Sequence, residues 1–181
     1  MNEKLIKKRE AVFFDRDGVL NIDKGYVYRT EDFIWIEGAK EAIKLLNDLG
    51  YLVIIVTNQS GIARGYYEEK DVYNLHQWMR KELFKTDAHI DGIYYCPHHP
   101  QAIIDKYRKD CQCRKPAPGL ILQAINELSI NKRNSFLIGD NERDIEAAKS
   151  AGIDGYLFRT KNLLSFTKKI LLEHYNLLEV L

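Results

Sequence analysis

The stretch Tyr51-Leu52-Val53-Ile54-Ile55-Val56 constrains the fold more than any other part of this chain. It is a continuous apolar, β-branched run, preceded by Gly50 and followed by Thr57-Asn58-Gln59-Ser60-Gly61. A strand with one wet face alternates apolar and polar residues. This one does not, so it reads as a strand buried on both faces, the pattern of a parallel sheet covered by helices. Just upstream, Ala39, Ala42, Ile43, Leu45, Leu46 and Leu49 recur at helical spacing, with Gly50 where a C-terminal cap is expected.

The rest of the chain repeats that rhythm. Ala11–Phe14, 90–96, 135–139 and 156–158 read as further strands. Helices are expected over 38–49, 68–86, 119–128 (Pro118 at its first position), 143–151 (closed by Gly152) and 162–181, the last with Leu163, Leu164, Phe166, Ile170, Leu171, Tyr175 and Leu178 on its apolar face. Alternating strands and helices predict an α/β fold, a three-layer, doubly wound and mainly parallel sheet. Residues 1–181 are expected to form a single domain, with no room for a large cap domain.

In such sheets ligands bind beyond the C-terminal ends of the strands. Three predicted strands end there in polar residues: Asp15-Arg16-Asp17-Gly18 after the first, Thr57-Asn58 after the second, and Gly139-Asp140 after the fourth. A lone Asp-x-Asp pair is weak evidence, but three polar strand ends on one rim are not. The segment 21–29, with Asp23, Gly25, Tyr26 and Tyr28, suits a loop or small hairpin over a pocket.

These residues can carry phosphoryl transfer. An ordinary Asp carboxylate is ionised at neutral pH, so Asp15 can attack phosphorus without an activating base. A cation must stand between it and an anionic phosphate, and Asp15 with Asp140 offers hard oxygen ligands for Mg²⁺. The leaving alkoxide needs a proton and the later water must lose one, a task for Asp17. Thr57 and Lys115 are the candidate donors to the phosphoryl oxygens.

The three cysteines, Cys96, Cys111 and Cys113, cluster with His98 and His99 as C-x-H…C-x-C. Three thiols and one imidazole make a closed tetrahedral set, so a structural Zn²⁺ is expected rather than a catalytic one. His98 is the expected fourth ligand, and its neighbour His99 is the alternative. The zinc-bound loop would fix the next two residues, Arg114 and Lys115.

The four segments Asp15-Arg16-Asp17-Gly18, Thr57-Asn58, Lys115-Pro116 and Gly139-Asp140, in that order, resemble the haloacid dehalogenase superfamily of phosphotransferases. The resemblance runs from the first strand to the fifth. It implies that Asp15 is the nucleophile, that Asp17 is the general acid and base, and that Asp17 also meets Mg²⁺ through its main-chain carbonyl. With the zinc loop, the chain is similar to the heptose-bisphosphate phosphatases of that superfamily, and to the related histidinol-phosphatases, whose loop is shorter. That closer resemblance implies a sugar phosphate substrate, a place in the biosynthesis of activated heptose for lipopolysaccharide core, and recognition by Arg114. Asp23, Lys24, Gly25 and Tyr26, with Asn58, Gln59 and Ser60 beside Thr57, would line the sugar pocket. Asn141, also on the substrate side, departs from the family pattern, where Lys is frequent, and removes a positive contact.

Lys plus Arg (27) nearly balances Asp plus Glu (26). That leaves no broad basic footprint, so neither nucleic acid nor a polynucleotide 3′-phosphatase activity is favoured. The charged start, without an apolar signal core, and the lack of any membrane-length apolar run lead to the expectation of a cytoplasmic monomer acting on a small molecule.

Overall fold

The computed structural model describes residues 9–175. Five strands form one sheet: β1 (Ala11–Phe14), β2 (Leu52–Asn58), β3 (Gly92–Cys96), β4 (Phe136–Gly139) and β5 (Asp154–Leu157). Their order is β3-β2-β1-β4-β5 and every pairing is parallel, as the continuous apolar runs require. Register is set by pairs such as Phe14↔Ile55 and Phe14↔Ile138.

The helices are α1 (Ala39–Asp48), α2 (Ser60–Ala63), α3 (Glu69–Phe84), α4 (Gly119–Glu127), α5 (Glu142–Ala151) and α6 (Leu163–Tyr175). Side chains alternate across each strand and so divide the core in two. Val12, Phe14, Val53, Ile55 and Ile138 face α1, α3 and α6. Ala11, Phe13, Ile54, Val56 and Leu137 face α4 and α5. The result is the expected three-layer sandwich. Among the described residues no helix is long and apolar enough to cross a membrane.

Several boundaries differ from the sequence reading. The short α2 was not expected, since four residues are too few for a periodic signal. Pro118 is the N-cap of α4 rather than its first helical residue. β5 begins at Asp154, two residues early, because backbone pairing with β4 rather than apolar character defines it. Leu178 and the expected end of the last helix lie outside the described residues.

What positions the site is the strand order. β1 runs on through β2 to β3 on one side, and β4 leads to β5 on the other, so the chain reverses between β1 and β4. Asp15 and Asp140 leave the sheet at that reversal, where side chains from neighbouring strand ends converge. The segment after β1 folds back over this rim: Ile22 N–H donates to Ile34 C=O and Ile36 N–H to Leu20 C=O, which pairs 20–22 with 34–36 and leaves most of 21–29, expected as a loop or small hairpin, in the connecting loop.

Candidate active site

A cleft of about 230 Å³ opens on the C-terminal rim, with Asp15, Asp17 and Thr57 in its wall. Asp23, Gly25 and Tyr26 line one side, and Asn58, Gln59 and Ser60 another. Arg114 and Arg143 add positive charge. The structure therefore brings most of the expected residues together. Lys24 is exposed and is not part of the cleft wall. Asn141 is not either: its side chain caps α5 by accepting from the Arg143 amide at 3.3 Å. Arg143, two residues further on, is the cation that sequence reasoning missed.

Lys115 and Asp140 are not in the cleft wall either; Lys115, 2% exposed, is buried behind Asp15. Its Nζ lies 3.0 Å from Asp15 Oδ1 and 2.7 Å from Asp144 Oδ1, and donates to Val56 C=O at 2.8 Å. Asn58 clamps its main chain, accepting from Lys115 N–H and donating to Lys115 C=O, each at 3.1 Å. The Asn58 amide is thus used to hold Lys115. A buried ammonium is tolerated only when paired and hydrogen-bonded, and here two carboxylates pair it while Val56 C=O accepts from it.

Asp15, Asp140 and Asp144 form a carboxylate cluster whose ligand oxygens all lie within 4.8 Å of one another. Burial, opposed by Lys115 and reinforced by Asp144 and Asp17, pushes Asp15 up to about 6. Burial and then Asp144 raise Asp140 as well. Asp140 Oδ1 is buried and has no hydrogen-bond partner among the described residues. Asp144 Oδ1 likewise has no hydrogen-bond partner there, only its ion pair with Lys115. Three crowded carboxylates, two of them with such an oxygen, fit a hard divalent cation such as Mg²⁺. Asp144 was not anticipated. It sits four residues after Asp140, and only the immediate start of α5 after β4 turns it inward.

Asp17 stands apart from this cluster. Its carboxylate accepts from Arg16 Nη2 at 2.9 Å on both oxygens, from Asn21 Nδ2 at 3.0 Å and from Gln59 Nε2 at 2.9 Å. Gln59 also donates to Thr57 Oγ1 at 2.9 Å, so its amide serves protein partners although it lines the cleft.

Gly18 makes the close approach of these loops possible. Its φ is +86°, and a Cβ there would lie 2.2 Å from Asp140 Oδ2. Gly18→Ala must therefore both strain the backbone and displace Asp140. The expected outcome is a fall in Mg²⁺ affinity of about tenfold or more, with stability reduced by roughly 1–3 kcal/mol. Calorimetric titration with Mg²⁺ and thermal melts measure the two effects.

The cysteine loop also assembles. Cys96, His98, Cys111 and Cys113 place their ligand atoms within 4.8 Å of one another. His98 Nδ1 lies 3.3 Å from Cys113 Sγ and 3.7 Å from Cys96 Sγ. His99 is turned away, accepting from the Gln101 amide on Nδ1 and facing Arg64 with Nε2. Burial followed by the Cys113 contact raises the Cys96 thiol. The donor set suits a tetrahedral soft-ligand ion. Arg114 donates to His98 C=O at 3.3 Å, so loop and cleft are directly joined.

A family model described as HAD-hydrolase-like matches residues 112–164. A curated protein of Rhodopseudomonas palustris, D-glycero-beta-D-manno-heptose-1,7-bisphosphate 7-phosphatase, is 46% identical over 166 residues, covering 92% of each chain. The protein of the same name from Photorhabdus laumondii is 51% identical over 143 residues, covering 79% of this chain and 76% of its own. Among solved structures, the D,D-heptose 1,7-bisphosphate phosphatase of B. bronchiseptica, complexed with magnesium and phosphate, superposes with a TM-score of 0.78 at 27% identity, covering 91% of this chain and 99% of that one. Similarity at this level, along three-quarters or more of each relative's length, places the chain in the D-glycero-beta-D-manno-heptose-1,7-bisphosphate 7-phosphatase family of the haloacid dehalogenase-like hydrolases.

Proposed function

We propose that this chain, as a single domain, is a Mg²⁺-dependent phosphatase that removes the 7-phosphate of D-glycero-β-D-manno-heptose 1,7-bisphosphate. The observation that carries the reading is the buried Asp15 carboxylate, 3.0 Å from Lys115 Nζ, beside Asp140 and at the floor of a cation-lined cleft. The names borne by its relatives support the same substrate.

Asp15 and Asp140, with the Asp17 carbonyl, would hold Mg²⁺. The ion supplies the positive charge that lets an anionic phosphate approach a carboxylate. An Asp15 oxygen bonds to phosphorus as the bond from phosphorus to the C7 oxygen breaks, and Asp17 gives that oxygen its proton. Lys115 and Thr57 stabilise the charge on the transferring group, and Asp144 fixes Lys115. Asp17, now ionised, takes a proton from water attacking the aspartyl-phosphate, which frees phosphate and restores Asp15.

Arg114 and Arg143 line the cleft and would meet the second phosphate of such a substrate. Histidinol phosphate, the alternative, offers an ammonium there and would be repelled. The Cys96–His98–Cys111–Cys113 set would hold a structural Zn²⁺. The enzyme would work as a cytoplasmic monomer in the supply of activated heptose to surface glycans.

The test is phosphate release from the β and α heptose bisphosphates and from histidinol phosphate. The expected kcat/KM is greatest for the β anomer and at least about a hundredfold lower for histidinol phosphate, a difference near 2.7 kcal/mol. A preference for histidinol phosphate would overturn the assignment.

A further inference from the structure

Arg16 is the largest fully buried side chain in the described structure, at 0% exposure, and the reaction just described gives it no task. Its whole guanidinium is engaged. The two N–H groups of Nη2 are shared among both Asp17 oxygens at 2.9 Å, Val27 C=O at 2.6 Å and Gln59 Oε1 at 3.4 Å; Nε reaches Asp17 Oδ1 at 3.3 Å. Nη1 faces Nε2 of His76 at 3.3 Å. Guanidinium has no acceptor, so Nε2 must accept, and the His76 ring is neutral with its proton on Nδ1. Burial, with Arg16 and Arg80 nearby, pushes His76 down to about 3, in keeping with that form.

His76 lies on α3, in the helix layer, and is 4% exposed. Arg16 therefore ties an active-site carboxylate to a helix that does not line the cleft. The remaining Asp17 partners are anchored too: Gln59 accepts from Tyr67 O–H at 2.8 Å, and Asn21 donates to Ile22 C=O at 3.0 Å. Every group that touches Asp17 is held by a second partner. A lysine at 16 would preserve the charge but not the planar fork.

We propose that Arg16, backed by His76, is a positioning residue that holds the Asp17 carboxyl at the angle needed to protonate the leaving oxygen. The proposal rests on Asp17 being the proton donor. An acid out of position hurts poor leaving groups most, because an alkoxide needs its proton during bond breaking and a nitrophenolate does not. A merely structural role for Arg16 would depress all substrates alike.

The experiment compares kcat/KM for the heptose bisphosphate with that for 4-nitrophenyl phosphate, in wild type, Asp17→Asn, Arg16→Lys, His76→Phe and His76→Gln. This ratio of constants reports the steps up to departure of the alcohol. Arg16→Lys is expected to lose about 30-fold on the sugar phosphate and less than about 3-fold on the aryl ester. His76→Phe, remote from substrate, should lose about 5-fold on the sugar phosphate alone, and His76→Gln, which keeps an acceptor, should recover most of it. Equal losses on both substrates, or no loss in either Arg16→Lys or His76→Phe, would overturn the positioning role. If Asp17→Asn itself showed no leaving-group selectivity, the assignment of Asp17 as proton donor would fall instead.

Discussion

Asp15→Asn abolishes phosphate release, by on the order of 10³-fold or more, while making the metal-free protein more stable at neutral pH. The first effect follows from chemistry: a carboxamide of the same shape has no ionised oxygen with which to attack phosphorus. The second follows from burial. Asp15 is pushed up to about 6 from an ordinary value of 3.8, chiefly by burial and despite Lys115. Between those two values the folded chain binds more protons than the unfolded one. The stability this group contributes is therefore complete below about pH 4 and is lost as pH rises through about 6. At pH 8 wild type bears a buried ionised carboxylate beside Asp140 and Asp144, and the variant does not. A gain of about 1–3 kcal/mol, or several degrees in Tm, is expected for Asp15→Asn without metal, and a flatter dependence of Tm on pH between 4 and 7. Mg²⁺ should narrow the gap by stabilising wild type more. Turnover that survives the substitution would remove Asp15 as nucleophile. A lower Tm would mean that its ion pair with Lys115 outweighs the cost of burial.

Stripping metal from the cysteine loop, or Cys113→Ser, carries the second large effect. Residues 97–118 include only one 3-10 turn, Asp105–Tyr107, and their buried apolar contribution is small: Ala102 and Tyr107 against Ile62, Ala63, Tyr67 and Val72. Such a loop cannot offset its conformational entropy by burial alone. Lys115 follows Cys113 by two residues, and its ammonium must sit within 3.0 Å of Asp15. The expected result is a fall in Tm of about 10 °C, with activity at least tenfold lower. Metal analysis should find one zinc per wild-type chain, retained in His99→Ala and lost in His98→Ala. Zinc removal that left both Tm and kcat/KM unchanged would exclude any role in placing Lys115.

The strands and their terminal acids were legible in the chain because both signals are local. Val12 to Phe14 and Leu52 to Val56 are apolar without interruption, and Asp15, Thr57 and Asp140 follow the strand pattern at once. The cysteine–histidine cluster was legible because all three cysteines lie within one window of 18 residues. Roles decided by side-chain direction were not. Asn58 and Gln59 line the cleft, but nothing local said that the Asn58 amide would grip the Lys115 backbone or that the Gln59 amide would brace Asp17. Asp144 lies one helical turn beyond Asp140, and nothing in its spacing says that α5 begins early enough to aim it at Lys115.

Hydrophobic periodicity and residue order along the chain were thus enough to determine a parallel α/β sheet, its acid-bearing rim and a clustered set of cysteine and histidine side chains. Tertiary structure alone decided which of two adjacent histidines joins that cluster, that Arg143 reaches the cleft beside Arg114, and that Arg16 is wholly buried behind Asp17. The physical reason is the same in each case. Periodicity reports which face of an element avoids water, whereas the partner of a buried polar group is set by packing between elements far apart in sequence. Arg16 and His76, 60 residues apart, meet only because the loop after β1 is folded against α3.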